Sequence, residues 1–120
     1  MSWTNFERML DRAPALRPEA HRVFDAMREL PAGPGIDPLV LARAAGVDEV
    51  STLAALGLLI QANLGRFAVQ VVNDRGQSVG EFDSIDATPE VVTDAYGEEL
   101  EVEPRRMRIV FRPAAELMAP

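Results

Sequence analysis

Few side chains in this chain are equipped for covalent or acid–base chemistry. There is one histidine, His21, no cysteine, and no lysine, so all 12 basic residues are arginine. Without cysteine there is no disulfide, thiol nucleophile, thiolate zinc site or iron–sulfur cluster. Without lysine there is no Schiff base and no phosphate-loop lysine. His21 has no serine or metal-type partner near it in sequence and reads as a surface residue. Acid–base work would therefore fall to carboxylates. Asp83 and Asp86, with Glu81 and Glu90 nearby, are the best-placed set, yet they lack the tight spacing and central glycine of a calcium loop and read better as a solvated acidic loop. The Gly33-Pro34-Gly35 run has neither a strand before it nor a lysine after it, so it is no phosphate cradle. No catalytic residue, cofactor or metal is expected.

The elements that must position any site fall into two compositional halves. The chain has 120 residues, 48% hydrophobic and 26% charged, with a net charge of −7, which is the balance of one globular domain able to bury a core without metal or disulfide. No apolar run approaches the length of a membrane span and MSWTNFERML has no apolar signal core, so a cytoplasmic protein without membrane contact is expected. Arginine in place of lysine, with abundant alanine, is the usage of a GC-rich bacterial genome. Residues 1–65 hold 8 acidic side chains and 6 arginines, net −2; residues 66–120 hold 11 and 6, net −5. Helical periodicity fills the first half and period-two alternation the second, so an α+β fold is expected, helices first and a small antiparallel sheet after.

Helices are predicted near 3–12, 18–30, 38–45 and 49–63. In the first, Ser2 is a cap and Phe6, Met9 and Leu10 form a short apolar face, with Trp3 placed to dock that helix onto the domain or onto another subunit. Pro18 opens the second, whose Val23, Phe24, Met27 and Leu30 make a core stripe, and residues 31–35 are a connector. Asp37-Pro38 caps the third, with Ile36 as a hydrophobic staple and Gly46 as the stop. Asp48 caps the fourth, along which Val50, Leu53, Leu56, Leu59 and Ile60 recur at spacings of three and four. Strands are predicted at 66–73, 78–83, 100–103 and 107–112, with residues 84–97 an irregular loop and 113–120 a tail. The basic cluster Arg105, Arg106, Arg108 and Arg112 would meet Glu101 and Glu103 across a Pro104 turn, forming cross-strand ion pairs rather than an anion site.

Residues 41–59, LARAAGVDEVSTLAALGLL, carry a resemblance. Ala42 and Ala45 are small residues where two helices would cross, Gly46 makes the turn, Val47 plugs the core, and Leu53 and Leu56 anchor the second helix. This is similar to the helix-turn-helix of the winged-helix superfamily over about residues 18–84, which implies a single winged-helix-like domain with a β wing after residue 66. It also implies a recognition face at Asp48, Glu49, Ser51, Thr52, Ala55 and Gln61, none of them basic. DNA affinity rests on neutralising phosphates, and residues 81–103 hold nine carboxylates and no arginine. The expectation is a non-catalytic protein-interaction or regulatory module whose acidic segment steers it to a basic partner surface, with a homodimer left open; Leu58 and Phe67 are expected to pack in the core, the alternative being part-exposed anchors for that partner. The alternative is a dimeric DNA-binding regulator. Its base-reading residues would be Ser51, Thr52 and Gln61, with Arg43, Arg66 and Arg75 on phosphate.

A second resemblance lies in Val72-Asn73-Asp74-Arg75-Gly76 and Thr93-Asp94-Ala95-Tyr96-Gly97, which have the cadence of two zinc knuckles with 17 residues between Arg75 and Thr93. Residues 72–97 are thus similar to a degenerate zinc ribbon. Its ligand positions fall on Val72, Arg75, Thr93 and Tyr96, none of which binds zinc, so what it implies is a metal-free pair of hairpins.

Overall fold

The computed structural model describes residues 8, 10–30 and 35–114. Ser2, Trp3, Phe6, Met9, most of the 31–35 connector and the tail beyond Ala114 lie outside the described residues. The class is α+β with helices before strands, and the chain divides into two compact units, Met1–Arg66 with Phe111–Pro120, and Phe67–Val110.

In the first unit residues 10–12 are helical and Leu10 is fully buried; a 3-10 turn, Pro14–Leu16, leads into α1, Arg17–Glu29. Pro18 sits in its first turn, where no amide partner is needed. Ala20, Val23, Phe24, Ala26 and Met27 are its buried face, and Arg28 lies over the Phe24 ring at 4.8 Å from the centroid. Leu30, expected in that stripe, is half-exposed beyond the helix end. Helix α2, Pro38–Ala45, is opened by the Asp37 carboxylate, which accepts the Leu39 N–H at 2.8 Å, and it ends at left-handed Gly46. Helix α3, Glu49–Gln61, is capped by Asp48, whose carboxylate accepts the Ser51 N–H at 3.1 Å; hydrogen bonding to Ser51 holds the Asp48 carboxyl below its ordinary pKa. The three helices pack on one another pairwise.

Strand β1, Gly65–Val72, pairs antiparallel with β2, Ser78–Phe82, in a register that opposes Val69 to Phe82 and Gln70 to Glu81 and shifts by one residue between Val71 and Val72, where Val79 is passed over. The remaining strands are β3, Val91–Thr93, β4, Glu99–Glu101, and β5, Met107–Pro113. They form a three-stranded sheet of order β2-β1-β5 and a two-stranded sheet β3-β4. Within the first unit Ile36 and Phe111 exchange both backbone hydrogen bonds, at 2.8 and 2.7 Å, and the Ala114 N–H donates to the Leu64 carbonyl. Ile36 is thus tied to the final strand, as well as lying beside the α2 cap.

Three expectations are corrected. The β region is not one sheet, because residues 84–97 are not wholly irregular: Val91–Thr93 forms β3 and takes β4 as its partner, opposing Val92 to Leu100. That pairing removes β4 from β5, so Glu101 and Glu103 do not ladder against Arg106 and Arg108. Pro104–Arg106 is instead a 3-10 turn, in which Arg105 pairs locally with Glu103 at 2.5 Å, holding that carboxyl low, while Arg106 reaches Asp74 at 2.8 Å. The third correction concerns α3. Leu53 and Val50, expected in the core, are 40% and 77% exposed, and Thr52, Ala55, Leu56 and Leu59 form the inward face instead.

Candidate functional site

The segment from α2 to α3 is built by two caps and one turn. Gly46 at φ 66° reverses the chain after α2, and the Val47 N–H donates to the Ala42 carbonyl, so the Asp48 cap starts α3 at once. At 100° per residue, the side chains of α3 divide into two faces. The inward one carries Thr52, whose hydroxyl donates to the Asp48 carbonyl at 2.9 Å and is thereby satisfied in a fully buried position. The outward one carries Val50, Leu53, Ala54, Gly57 and Gln61, with no charged side chain between Val50 and Gln61.

The residues singled out from sequence distribute unevenly on this frame. Arg43 on α2, Gln61 on α3 and Arg66 on β1 are exposed, and Ser51 is half-exposed. Thr52 and Ala55 are buried and present no surface to a base or to a partner. Arg75 is exposed but belongs to the second unit. Leu58 and Phe67 are half-exposed. Sequence reasoning passed over Val50 and the outward side of Leu53. Their signal was the near-uniform apolarity of α3 itself, since a helix with one buried face needs only one apolar side.

In the second unit the two sequence-matched turns are built alike. The Asn73 Oδ1 accepts the N–H groups of Arg75 and Gln77, both at 3.0 Å; the Asp94 Oδ1 accepts those of Tyr96 and Glu98, at 2.8 and 2.9 Å. Gly76 and Gly97 each close the turn at positive φ, 76° and 81°, donating back to Asn73 and Asp94. Both turns line one cleft of about 480 Å³, with Asp74, Arg75, Tyr96, Glu98, Glu99 and Leu100 in its walls. Tyr96 is 88% exposed there.

A zinc ribbon would place its ligands at Val72, Arg75, Thr93 and Tyr96, and these side chains do not fit the ion: one is an aliphatic group, one a cation, and the other two are neutral hydroxyls. Among the described residues no group of three or more His, Cys, Asp or Glu is arranged to hold a metal, and no helix is long and apolar enough to cross a membrane. The acidic segment is open to solvent: Asp83, Asp86, Glu90, Glu98, Glu99, Glu101 and Glu103 are exposed, with Glu81 and Asp94 half-exposed. Comparison with family models, with curated proteins and with solved structures finds no match for this chain.

Proposed function

We propose that the chain is a non-catalytic protein-interaction or regulatory module of the bacterial cytoplasm, built on a winged-helix scaffold whose second helix has been turned from base reading to protein contact. The observation that carries this reading is the outward face of α3, which is apolar where a recognition helix needs arginine or lysine. Burial of Thr52 supports it further, since it takes away one of the three polar residues available for reading bases. The exposed carboxylates of the second unit steer the module toward a partner with a basic surface and away from phosphate. In the same reading that unit is a zinc-ribbon-like pair of hairpins holding without metal, with Asn73 and Asp94 organising the turns that cysteine thiolates organise in a ribbon.

The competing reading, a DNA-binding regulator, places Arg43, Arg66 and Arg75 on phosphate. Fluorescence anisotropy of the purified protein against mixed-sequence duplex DNA, at low and then near-physiological salt, separates the two. No binding at low salt is expected. Binding that weakens steeply with salt and is lost on joint Arg66→Glu and Arg75→Glu reversal would make the protein a DNA regulator instead.

A further inference from the structure

The edge of β4 that faces away from β3 is open and charged. The Asp94 N–H donates to the Glu98 carbonyl at 2.9 Å and the Val102 N–H to the Glu90 carbonyl at 2.8 Å, so Leu100 between them turns its backbone groups to β3 while Glu99 and Glu101 turn theirs outward. Among the described residues β3 is the sole strand partner of β4, and both glutamates are exposed. Past Glu101 the edge closes, because the Glu103 carbonyl accepts the Arg106 N–H at 2.8 Å and the Glu103 carboxylate is held by Arg105. At its other end it runs into the cleft of about 480 Å³, whose wall includes Glu99 and Leu100. We propose that this edge receives an extended segment of a protein partner, added antiparallel as a third strand, with basic side chains opposite Glu99 and Glu101 and an apolar one opposite Leu100. The proposal rests on the reading of the acidic segment as the surface that meets a basic partner, and states which residues make that contact and in what backbone form.

Backbone, charge and shape select that occupant. Outward N–H and C=O groups on alternate residues are what an added antiparallel strand pairs with, one donor and one acceptor at each of Glu99 and Glu101. The two carboxylates stand on one face of β4, where β3 opposes them with Thr93 and Val91, and among the described residues neither has an ion-pair partner. Their counter-charge is therefore left to whatever strand lies on the far side. The same carboxylates reject a second copy of this edge, since antiparallel pairing of β4 with itself sets glutamate against glutamate. In the cleft Asp94, Glu98 and Glu99 outnumber Arg75, even with Asp74 taken by Arg106, and the exposed Tyr96 ring offers its face to a guanidinium. The basic side chain beside Glu99 thus meets carboxylate and aromatic together, while half-exposed Leu100 receives the apolar residue on the opposite face. So short an edge makes a weak, reversible contact.

Titration of the isotopically labelled full chain with a synthetic peptide of alternating arginine and valine tests this, read by amide NMR and hydrogen exchange. Saturable shifts at Tyr96 and across Glu99–Glu101 are expected, with exchange of the Glu99 and Glu101 amides slowed about tenfold or more. N-methylation of the peptide's arginines, whose N–H groups face β4, should abolish binding, and N-methylation of its valines should leave it intact. Joint Glu99→Gln and Glu101→Gln should weaken binding about tenfold with the melting temperature unchanged or raised. Absence of saturable binding overturns the proposal, as do unprotected Glu99 and Glu101 amides or equal binding of the two N-methylated peptides. If duplex DNA is ignored as well, those results remove strand addition and leave α3 a protein-contact surface. Salt-sensitive DNA binding removes the protein-contact reading itself.

Discussion

The first unit and the β3-β4 sheet of the second keep their shape by different means. In the first, order comes from burial: Leu10, Val23, Met27, Leu41, Leu56, Leu59, Leu64 and Phe111 are almost wholly removed from water. In the β3-β4 sheet of the second, Val92 is the one buried side chain, and what fixes the chain there is a carboxylate oxygen gathering two amides at the Asp94 turn. A core of this first kind loses stability in proportion to the area and volume removed, wherever in it the loss occurs. A turn-built hairpin fails locally, when one acceptor is lost.

The largest expected effect breaks that comparison on a single helix. Leu56→Ala should lower unfolding free energy by about 3 kcal/mol in urea titration, whereas Leu53→Ala, on the other face of α3, should cost less than about 1 kcal/mol. Equal costs would mean that both faces are packed within one chain. Next in size, Asp94→Ala should cost about 1 kcal/mol and raise amide exchange across β3 and β4 without altering protection in α1 and α2. Asp94→Asn, which keeps the accepting oxygen and is what Asn73 already supplies in the twin turn, should restore most of that protection. Gly57→Ala should raise unfolding free energy by up to about 1 kcal/mol, since the position is helical and open. The smallest effect is that of acid on the α3 cap. Because the Asp48 carboxyl is held below 3.8 in the folded chain, the folded state binds fewer protons, so its stabilisation is complete above that value and is lost as pH falls through the lower folded pKa. Asp48→Asn should flatten the pH dependence of melting below pH 3.8, and a slope unchanged by that substitution would assign the acid sensitivity to other carboxylates.

How much of this was legible from residues alone follows the same division. Local chemistry was readable: Asp37 and Asp48 announce their helices, Gly46 ends one, and the change of period at Gly65 separates helices from strands, because each signal lies within a few residues of what it determines. Both turns around Asn73 and Asp94 were visible as a repeated cadence, although their shared cleft was not. Val91–Thr93 escaped notice as a strand because three residues carry too little alternation, and its pairing with Glu99–Glu101 instead of a β4-β5 hairpin is a choice among distant partners. The face of α3 was misread for the opposite reason. A helix apolar on most sides satisfies an amphipathic pattern in more than one rotation, and the one that holds turns Thr52, Ala55, Leu56 and Leu59 inward.

The pairing of Ile36 with Phe111 also governs the order in which the molecule can come into being. Phe111 is fully buried in the first unit and packs against Gly65 so closely that a Cβ there would collide with its ring. A ribosome delivers α1, α2 and α3 long before it delivers Phe111, so during synthesis the helices wait with one wall of their core missing. Closing that wall joins positions 75 residues apart, a slow, long-range step for so small a chain. Through that interval the apolar helices stand open to chaperones and to neighbouring nascent chains, and a chain cut short before β5 should aggregate instead of folding its amino-terminal half.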